Sequence, residues 1–363
     1  MPFSDLIGNQ ETVERVREMM ARDRFPHGVI LSGPEGSGKY LLAQMIAKAM
    51  NCLNPPPGPL PDFCGVCSNC QEIAAADDFA TKFEEAVEAR EGLRDVDKKE
   101  TRIFLQTHPD VLVIPPDPPQ MMIKVDQVRH VISGIYYRPS EAQERVYIFT
   151  DSAFMKEAAN SLLKVLEEPP EFATIFLLTE NPGELLPTIR SRSITFTLGA
   201  LPSEAIESFL SHTRPDWNAK QRALVARLCG GAAGRARTFD VDSYVAARSQ
   251  ALVLLNSALR GGDHSELFKV TEGYRAGAEG REKTEQLIRS LYSLLQDLLF
   301  LNSGTAELVR NSDMLGELKK LAGSADFTWI ATASDRLGEV ERGMRRNLLR
   351  SLSLDAFATA LER

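Results

Sequence analysis

Apolar residues along this chain fall into two patterns, short unbroken runs and longer helical stripes, and the two alternate through its first half. Gly28-Val29-Ile30-Leu31-Ser32, Asp110-Val111-Leu112-Val113-Ile114, Val146-Tyr147-Ile148-Phe149-Thr150 and Thr174-Ile175-Phe176-Leu177-Leu178-Thr179 are unbroken runs of strand length. Runs of this kind mark strands buried on both faces, as in a parallel sheet covered by helices. Between them, helical periodicity predicts Leu41 to Met50, Ile123 to Tyr137 and Lys156 to Glu168. The last is stopped by Pro169-Pro170, whose rings cannot continue a helix. Asp5 to Arg22 reads as a short loop and a helix. The alternation predicts an α/β core built on a parallel sheet.

Past about Leu198 the strand pattern stops. Ser203 to Leu210, Ala219 to Leu228 and Gly234 to Phe239 are short helical patterns, and from Tyr244 onward the pattern is helical throughout. Leu287, Leu291, Leu294 and Leu298 recur in steps of four, three and four, one continuous stripe suited to a core or a subunit interface. The expected organisation is an α/β core over 1–198, a helical lid over 199–243 and a helical domain over 244–363. Asp77 to Arg102 is charge-rich with few large apolar residues (Phe79, Phe83, Val87, Leu93), and is expected to be an exposed helical excursion or a partly disordered segment.

The 363 residues exceed the size at which one core stops growing, which agrees with two or three domains. A net charge of −8 argues against a dedicated nucleic-acid grip, which would show as a basic domain. Met1 to Arg24 is polar and charged, and no stretch approaches a membrane span, so the expected compartment is the cytoplasm, with no membrane partner.

Two segments carry candidate chemistry. Gly33-Pro34-Glu35-Gly36-Ser37-Gly38-Lys39-Tyr40, between a strand run and a helical one, reads as a phosphate-binding loop with its last position altered. Amides around Gly33, Gly36 and Gly38 and the Lys39 ammonium can cradle phosphate at a helix N-terminus. The position that should offer a Ser or Thr hydroxyl to Mg²⁺ holds Tyr40, whose phenol is too long and rigid for that place. ATP binding is therefore conceivable, and hydrolysis is not expected. The second segment holds four of the five cysteines, Cys52, Cys64, Cys67 and Cys70. Such spacing on a turn-rich stretch suits structural Zn²⁺, with an iron–sulfur cluster or reduced thiols as the alternatives. Cys229 stands alone in an apolar helical pattern and reads as a buried small hydrophobe.

In P-loop ATPases the strand carrying the second motif ends in acidic residues that serve Mg²⁺ and catalysis. Here it ends Phe149-Thr150-Asp151-Ser152-Ala153, and either register leaves that set incomplete; a helix N-cap is an equally good reading of Thr150-Asp151.

At this point the chain resembles the delta-prime family of bacterial DNA polymerase III clamp-loader subunits. The resemblance rests on the Gly33-to-Lys39 loop, the four cysteines, His108-Pro109-Asp110, and Ile123-Lys124-Val125-Asp126-Gln127-Val128-Arg129. It continues through Thr150-Asp151-Ser152-Ala153, the run from Ala158 to Pro170 that contains Leu162-Leu163-Lys164-Val165-Leu166-Glu167-Glu168-Pro169-Pro170, and Leu185 to Ser193. It covers residues 1 to about 200 by motif, and the remainder by length and class. It implies an AAA+ P-loop core, a lid, and a C-terminal helical collar that joins subunits into a ring. It implies a stator without productive ATPase activity of its own, part of the polymerase holoenzyme, with the gamma/tau motor and delta subunits as partners and with the sliding clamp and primed DNA reached through the complex. The family's Ser-Arg-Cys motif falls on Ser191-Arg192-Ser193, so Arg192 is expected to act in trans on a neighbour's ATP, and Ser193 departs from the usual Cys. Thr179 and Asn181 fall where AAA+ proteins keep a polar sensor, and Arg235 where the lid offers a second one. The competing readings are an active gamma/tau-type motor and a zinc-dependent DNA-binding module.

Overall fold

The apolar runs pair into one six-stranded sheet in the computed structural model, which describes residues 2–261, 264–274, 277–345 and 349–362. The strands are β1 (Gly28–Ser32), β2 (Leu105–His108), β3 (Val111–Ile114), β4 (Arg145–Phe149), β5 (Ala173–Thr179) and β6 (Ile194–Thr197), in the spatial order β2-β3-β4-β5-β1-β6. β3, β4, β5, β1 and β6 run parallel, and β2 lies antiparallel on β3 at one edge. The four strands expected from the sequence are the four inner ones, and the expected parallel α/β class holds. The two edge strands carry no apolar run. β2 reads Leu-Gln-Thr-His, and in β6 only Phe196 is buried.

Successive residues of the inner strands point to opposite faces, and each face has its own helices. On one, Val29, Leu31, Val111, Val113, Ile148 and Phe176 pack with Val13 and Val16 of α1 (Gln10–Ala21), with Leu42, Met45 and Ile46 of α2 (Lys39–Asn51), and with Ile73 of α3 (Ser68–Ala74). That side also receives α4 (Phe79–Glu91), which is followed by α5 (Asp95–Glu100). On the other face, Ile30, Leu112, Ile114, Tyr147, Phe149 and Leu177 pack with Val128 and Val131 of α6 (Val125–Ile135), and with Leu162 and Val165 of α7 (Lys156–Glu167). The short α8 (Pro187–Arg190) precedes β6. Burial on both sides explains why the inner strands read as unbroken apolar runs.

The 77–102 segment is helical, as one of the two expectations has it, and its residues 91–94 are exposed, but the inner side of α4 packs on the core. Asp78 accepts the Thr81 N–H at 3.4 Å and caps α4, while Phe79, Phe83, Ala86 and Val87 form a stripe against the core. Arg90, on the same helix, reaches Asp117 at 2.9 Å with both side chains buried. The apolar positions lie at helical spacing, but the charges between them hide the stripe in a composition-based reading.

The chain divides into two compact units. One comprises Met1–Phe209 with Gly231–Arg235, and the other Leu210–Gly230 with Ala236–Arg363. The first thus holds most of α9 (Ser203–Thr213) and the start of α11 (Ala233–Arg237). The second is helical: α10 (Ala219–Leu228), α12 (Val241–Arg260), α13 (Ser265–Glu272), α14 (Gly277–Asn302), α15 (Leu315–Ala322), α16 (Phe327–Arg345) and α17 (Arg350–Thr359). The leucine stripe of α14 is its centre, with Leu287, Leu291, Leu294 and Leu298 all buried among Leu255, Leu318, Ile330 and Leu337. Arg248 forms a two-pronged pair with Asp313 at 2.7 and 2.6 Å, and buried Asp297 accepts the N–H groups of Arg310 and Asn311. Cys229 is buried, as its pattern predicts. No helix among the described residues is long and apolar enough to cross a membrane.

In the first unit the His108-Pro109-Asp110 run has a specific task. The buried Asp110 carboxylate accepts N–H bonds from Ser140, Glu141 and Ala142 at 2.8 to 3.0 Å, and lies 3.4 Å from Arg145. It organises the loop that feeds β4. Burial works against its charged form, but the N–H donors of Glu141, Ser140 and Ala142 and the Arg145 guanidinium outweigh it, so the carboxyl titrates below its ordinary value. Asp110→Ala should therefore cost about 3 kcal/mol or more, because it strands several buried donors. A group with a depressed folded pKa stabilises above its unfolded pKa, and that stabilisation fades as pH falls through the folded value. Urea unfolding should accordingly show the largest gap between wild type and Asp110→Ala near neutral pH, shrinking below about pH 4.

Candidate functional site

The glycine loop leaves the C-terminal end of β1 and closes on α2. Gly33 N donates to Thr179 O at 3.2 Å, tying the loop to the end of β5, and Gly38 in a left-handed conformation forms the N-cap of α2. The apex is occupied. Gly36 O accepts the Gly234 N–H at 2.8 Å, and a Cβ on Gly36, whose φ is +75°, would fall 2.6 Å from the Arg235 nitrogen. Both geometry and space require glycine there. Arg235 therefore sits with its backbone directly against the loop.

Lys39 bends back on its own loop, with Nζ donating to Gly33 O at 2.6 Å and Pro34 O at 2.9 Å. Burial lowers its pKa, and the carboxylates of Glu180, Glu35 and Asp151 act in the opposite sense. Three acids thus share the electrostatic environment of the one ammonium that would meet a polyphosphate. Tyr40 is committed elsewhere: its hydroxyl donates to Ala76 O at 2.6 Å, accepts from Gln44 Nε2 at 2.7 Å, and its ring lies 5.2 Å from that of Phe79. Burial pushes that hydroxyl's pKa well above its ordinary value.

The strand-end residues are likewise internally engaged. The buried Thr179 hydroxyl lies 3.0 Å from Ser152 Oγ and accepts the Asn181 N–H at 3.1 Å, while Ser152 donates to Glu184 at 2.8 Å. Asn181 Oδ1 accepts the Gly183 N–H at 2.9 Å and caps the turn Pro182–Glu184. β4 ends at Phe149, and Asp151 accepts the Ala153 N–H at 2.8 Å. Asp151 closes a turn and does not cap α7, whose N-cap is Met155.

Cys52 follows α2, Cys64 and Cys67 lie on the connecting turn, and Cys70 lies on α3. Their four sulfurs are all within 4.8 Å of one another. Cys52 Sγ accepts the Cys64 N–H at 3.2 Å, and Cys64 Sγ accepts those of Val66 and Cys67 at 3.5 and 3.3 Å. The donors from Val66 and Cys67 pull the Cys64 thiol down to about 6, while burial pushes Cys52 and Cys70 up. Two asparagines that sequence reasoning missed anchor this cluster. Asn51 accepts the Gln143 and Glu144 N–H groups at 3.1 and 2.9 Å and donates to Glu144 O at 3.1 Å; Asn69 donates to Asn51 O at 3.0 Å. The dipeptide Asn-Cys, present at 51–52 and again at 69–70, was the available signal.

Glu72, His108 and Glu141 also bring ligand atoms within 4.8 Å of one another. His108 Nδ1, however, accepts the Asp110 N–H at 3.1 Å, which leaves the proton of the neutral ring on Nε2. That nitrogen is buried and has no hydrogen-bond partner among the described residues.

The Ser191-Arg192-Ser193 turn lies at the other end of the sheet. β6 pairs with β1 from Val29–Ile194 to Ser32–Thr197, so Arg192 stands beside the start of β1 while the glycine loop leaves its end. A five-residue strand separates them by roughly 15 Å. A Cβ on Gly28 would lie 3.0 Å from Arg192 O and Ser193 Oγ and 3.1 Å from Leu166, so strand, turn and α7 meet there. Ser193 Oγ bonds Ile189 O at 3.0 Å, so its departure from Cys leaves the turn well formed. Arg192 Nη1 donates to Thr188 O at 3.0 Å and to Ser191 Oγ at 3.3 Å, and Nη2 lies 2.7 Å from Glu167. Glu167 was visible in sequence only as part of a motif, without a partner.

The chain is 25% identical over 341 residues to DNA polymerase III subunit tau of Escherichia coli, which covers 94% of this chain and 43% of that one. It is 26% identical over 333 residues to subunit tau/gamma of Haemophilus influenzae, covering 88% and 39%. The chain thus spans about two fifths of the length of these curated relatives. Among solved structures, a DNA polymerase III gamma subunit-related protein of Thermotoga maritima aligns over 95% of this chain and 98% of its own, at 18% identity and a TM-score of 0.42. The family profile described as DNA polymerase III, delta subunit matches residues 8–85 and 75–202. Those residues make up more than half of the chain, which therefore belongs to that clamp-loader family of DNA polymerase III subunits.

Proposed function

We propose that this chain is a delta-prime-type stator of the clamp loader, which does not itself hydrolyse ATP and which presents Arg192 to ATP bound by a neighbouring motor subunit. One observation carries the reading: β1 separates Arg192 from the chain's own glycine loop by roughly 15 Å, too far for the guanidinium to serve that loop. On a neighbour's nucleotide, the same fixed cation would stabilise charge spreading over the transferring phosphoryl group. The state of the loop supports the other half. Lys39 is engaged by Gly33 O and Pro34 O, and Tyr40 replaces the hydroxyl that would ligate Mg²⁺. Gly33, Gly36, Gly38, Lys39, Thr179 and Arg235 would line any nucleotide that did bind, through backbone amides more than through charge. The motor reading is favoured by the names of the curated relatives, which are tau and gamma subunits. In the reading preferred here, the motor and delta subunits join this chain through its C-terminal helices, the clamp and primed DNA are reached through the complex, and the setting is the cytoplasm.

The four cysteines fit a structural zinc. Tetrahedral Zn²⁺ with bonds of about 2.3 Å needs four sulfurs within roughly 4 Å of one another, and backbone N–H groups already point at two of them. The metal would cross-link the end of α2 to α3 and, through Asn51 and Asn69, steady the 141–144 loop.

Four measurements test these assignments. Purified chain alone should hydrolyse ATP at background; turnover near one per second or more, abolished by Lys39→Ala, would instead make it a motor. Metal analysis of protein purified without added zinc should find about one equivalent, with under half an equivalent counting against the site and visible absorption of iron–sulfur type pointing to the alternative. Cys67→Ser should then speed hydrogen exchange at Gln143 and Glu144 while leaving the sheet protected. In a reconstituted loader, Arg192→Ala should leave assembly on gel filtration intact, lower total ATPase partially, and slow clamp loading further. An arginine finger is worth about 10³ to 10⁵ at the one site it serves. Arg192→Lys should be nearly as harmful, since an ammonium cannot form the planar two-pronged contact. Wild-type loading by an assembled Arg192→Ala complex would remove the finger assignment.

A further inference from the structure

Glu167 is the last residue of α7, followed by Glu168, where α7 ends before Pro169-Pro170. Acidic side chains at a helix C-terminus oppose the helix dipole, so two in succession run against local preference. Such a violation marks a position held for another purpose. The structure supplies one for Glu167: its Oε1 lies 2.7 Å from Arg192 Nη2. We infer that Glu167 is a positioning residue for Arg192, holding the guanidinium aimed and planar for a neighbour's phosphates; this rests on the trans-acting role proposed above.

The geometry supports positioning in preference to competition. Thr188 O and Ser191 Oγ hold Nη1, and Glu167 holds Nη2, so the guanidinium is gripped at both nitrogens of its outer edge by its own chain. A guanidinium carries five N–H groups, so two remain beyond these contacts to meet phosphate oxygens while the grip persists. The backbone beneath is equally fixed, because Gly28 allows β1, Leu166 of α7 and the Arg192-Ser193 turn to meet without a side chain between them. The Arg192 and Glu167 side chains are 35% and 50% exposed, so the pair contributes little to stability, and its effect should appear in orientation. A cation held in its reactive geometry does not have to be ordered during the reaction.

The test uses the reconstituted loader with a neighbouring motor subunit, with ATP as the probe. Glu167→Ala should lower kcat about tenfold with KM for ATP nearly unchanged, the mark of lost orientation. Glu167→Gln, which keeps an oxygen acceptor for Nη2, should recover most of that loss, and Glu168→Ala should be silent. In an Arg192→Ala background, Glu167→Ala should add nothing, since it acts only through the arginine. A Glu167→Ala complex at the full rate, or one whose loss adds fully to that of Arg192→Ala, overturns the inference. An Arg192→Ala complex at the full rate overturns the finger reading, and with it this role. A second measurement on the isolated chain tells the two failures apart. The Arg192 Nη2–H resonance should be protected from solvent exchange in wild type and lose that protection in Glu167→Ala, independent of any partner. Unchanged protection in that variant counts against positioning by Glu167 even where the finger reading holds.

Discussion

The parallel pairing of β1 between β5 and β6 is the constraint from which the rest of the first unit follows. β1 is buried at every position and hydrogen-bonded along both edges, so its two ends are set by the sheet. One end delivers the glycine loop to α2, where Gly33 is tied to the end of β5. The other end, at Gly28, receives the arginine turn and the end of α7. A rigid five-residue strand thus places a phosphate-type loop and a cationic turn at opposite ends of the sheet's strands. Arg192 is thereby held away from the chain's own glycine loop.

The loop itself shows how a motif can persist while its polar groups are redirected. Its carbonyls accept Lys39, its apex accepts the Gly234 N–H, and Tyr40 binds Ala76 O. These bonds satisfy the Lys39 ammonium, the Tyr40 hydroxyl and the loop carbonyls, whereas Ser37 Oγ in the same loop is buried without a hydrogen-bond partner. The sensor-position residues Thr179 and Asn181 follow the same logic, bonding within their own turn. Nothing here prevents backbone amides from meeting an anion.

The cysteine insert is joined to the sheet by buried polar bonds as well as by the apolar contacts of Cys52, Phe63, Cys70 and Ile73. Asp110 and Asn51 together accept the N–H groups of residues 140–144, which lead into β4, and Asn69 donates to Asn51 O and Glu141 O. Buried carboxylate and amide side chains that take several backbone N–H groups are strong fixed points, because losing one leaves donors stranded. A metal on the adjacent cysteines would therefore stiffen a strand entry as well as a loop.

The sequence by itself determined the α/β class, the four inner strands, the helices between them and the leucine stripe of α14. These signals are local, since burial on both faces writes unbroken apolar runs and burial on one face writes a helical period. The cysteine spacing was legible for the same reason, all four lying within one short segment. The edge strands β2 and β6 were not legible, because each is half exposed and owes its conformation to a partner distant in the chain. The stripe of α4 was masked by the charges on its outer face. Only the tertiary structure decided what the polar residues do: Tyr40 with Ala76, Gly36 against Gly234, Asn51 with Gln143 and Glu144, and Glu167 with Arg192. Each of those pairs joins positions that no periodicity relates, and a hydrogen bond of about 3 Å depends on where the packed sheet and helices bring them.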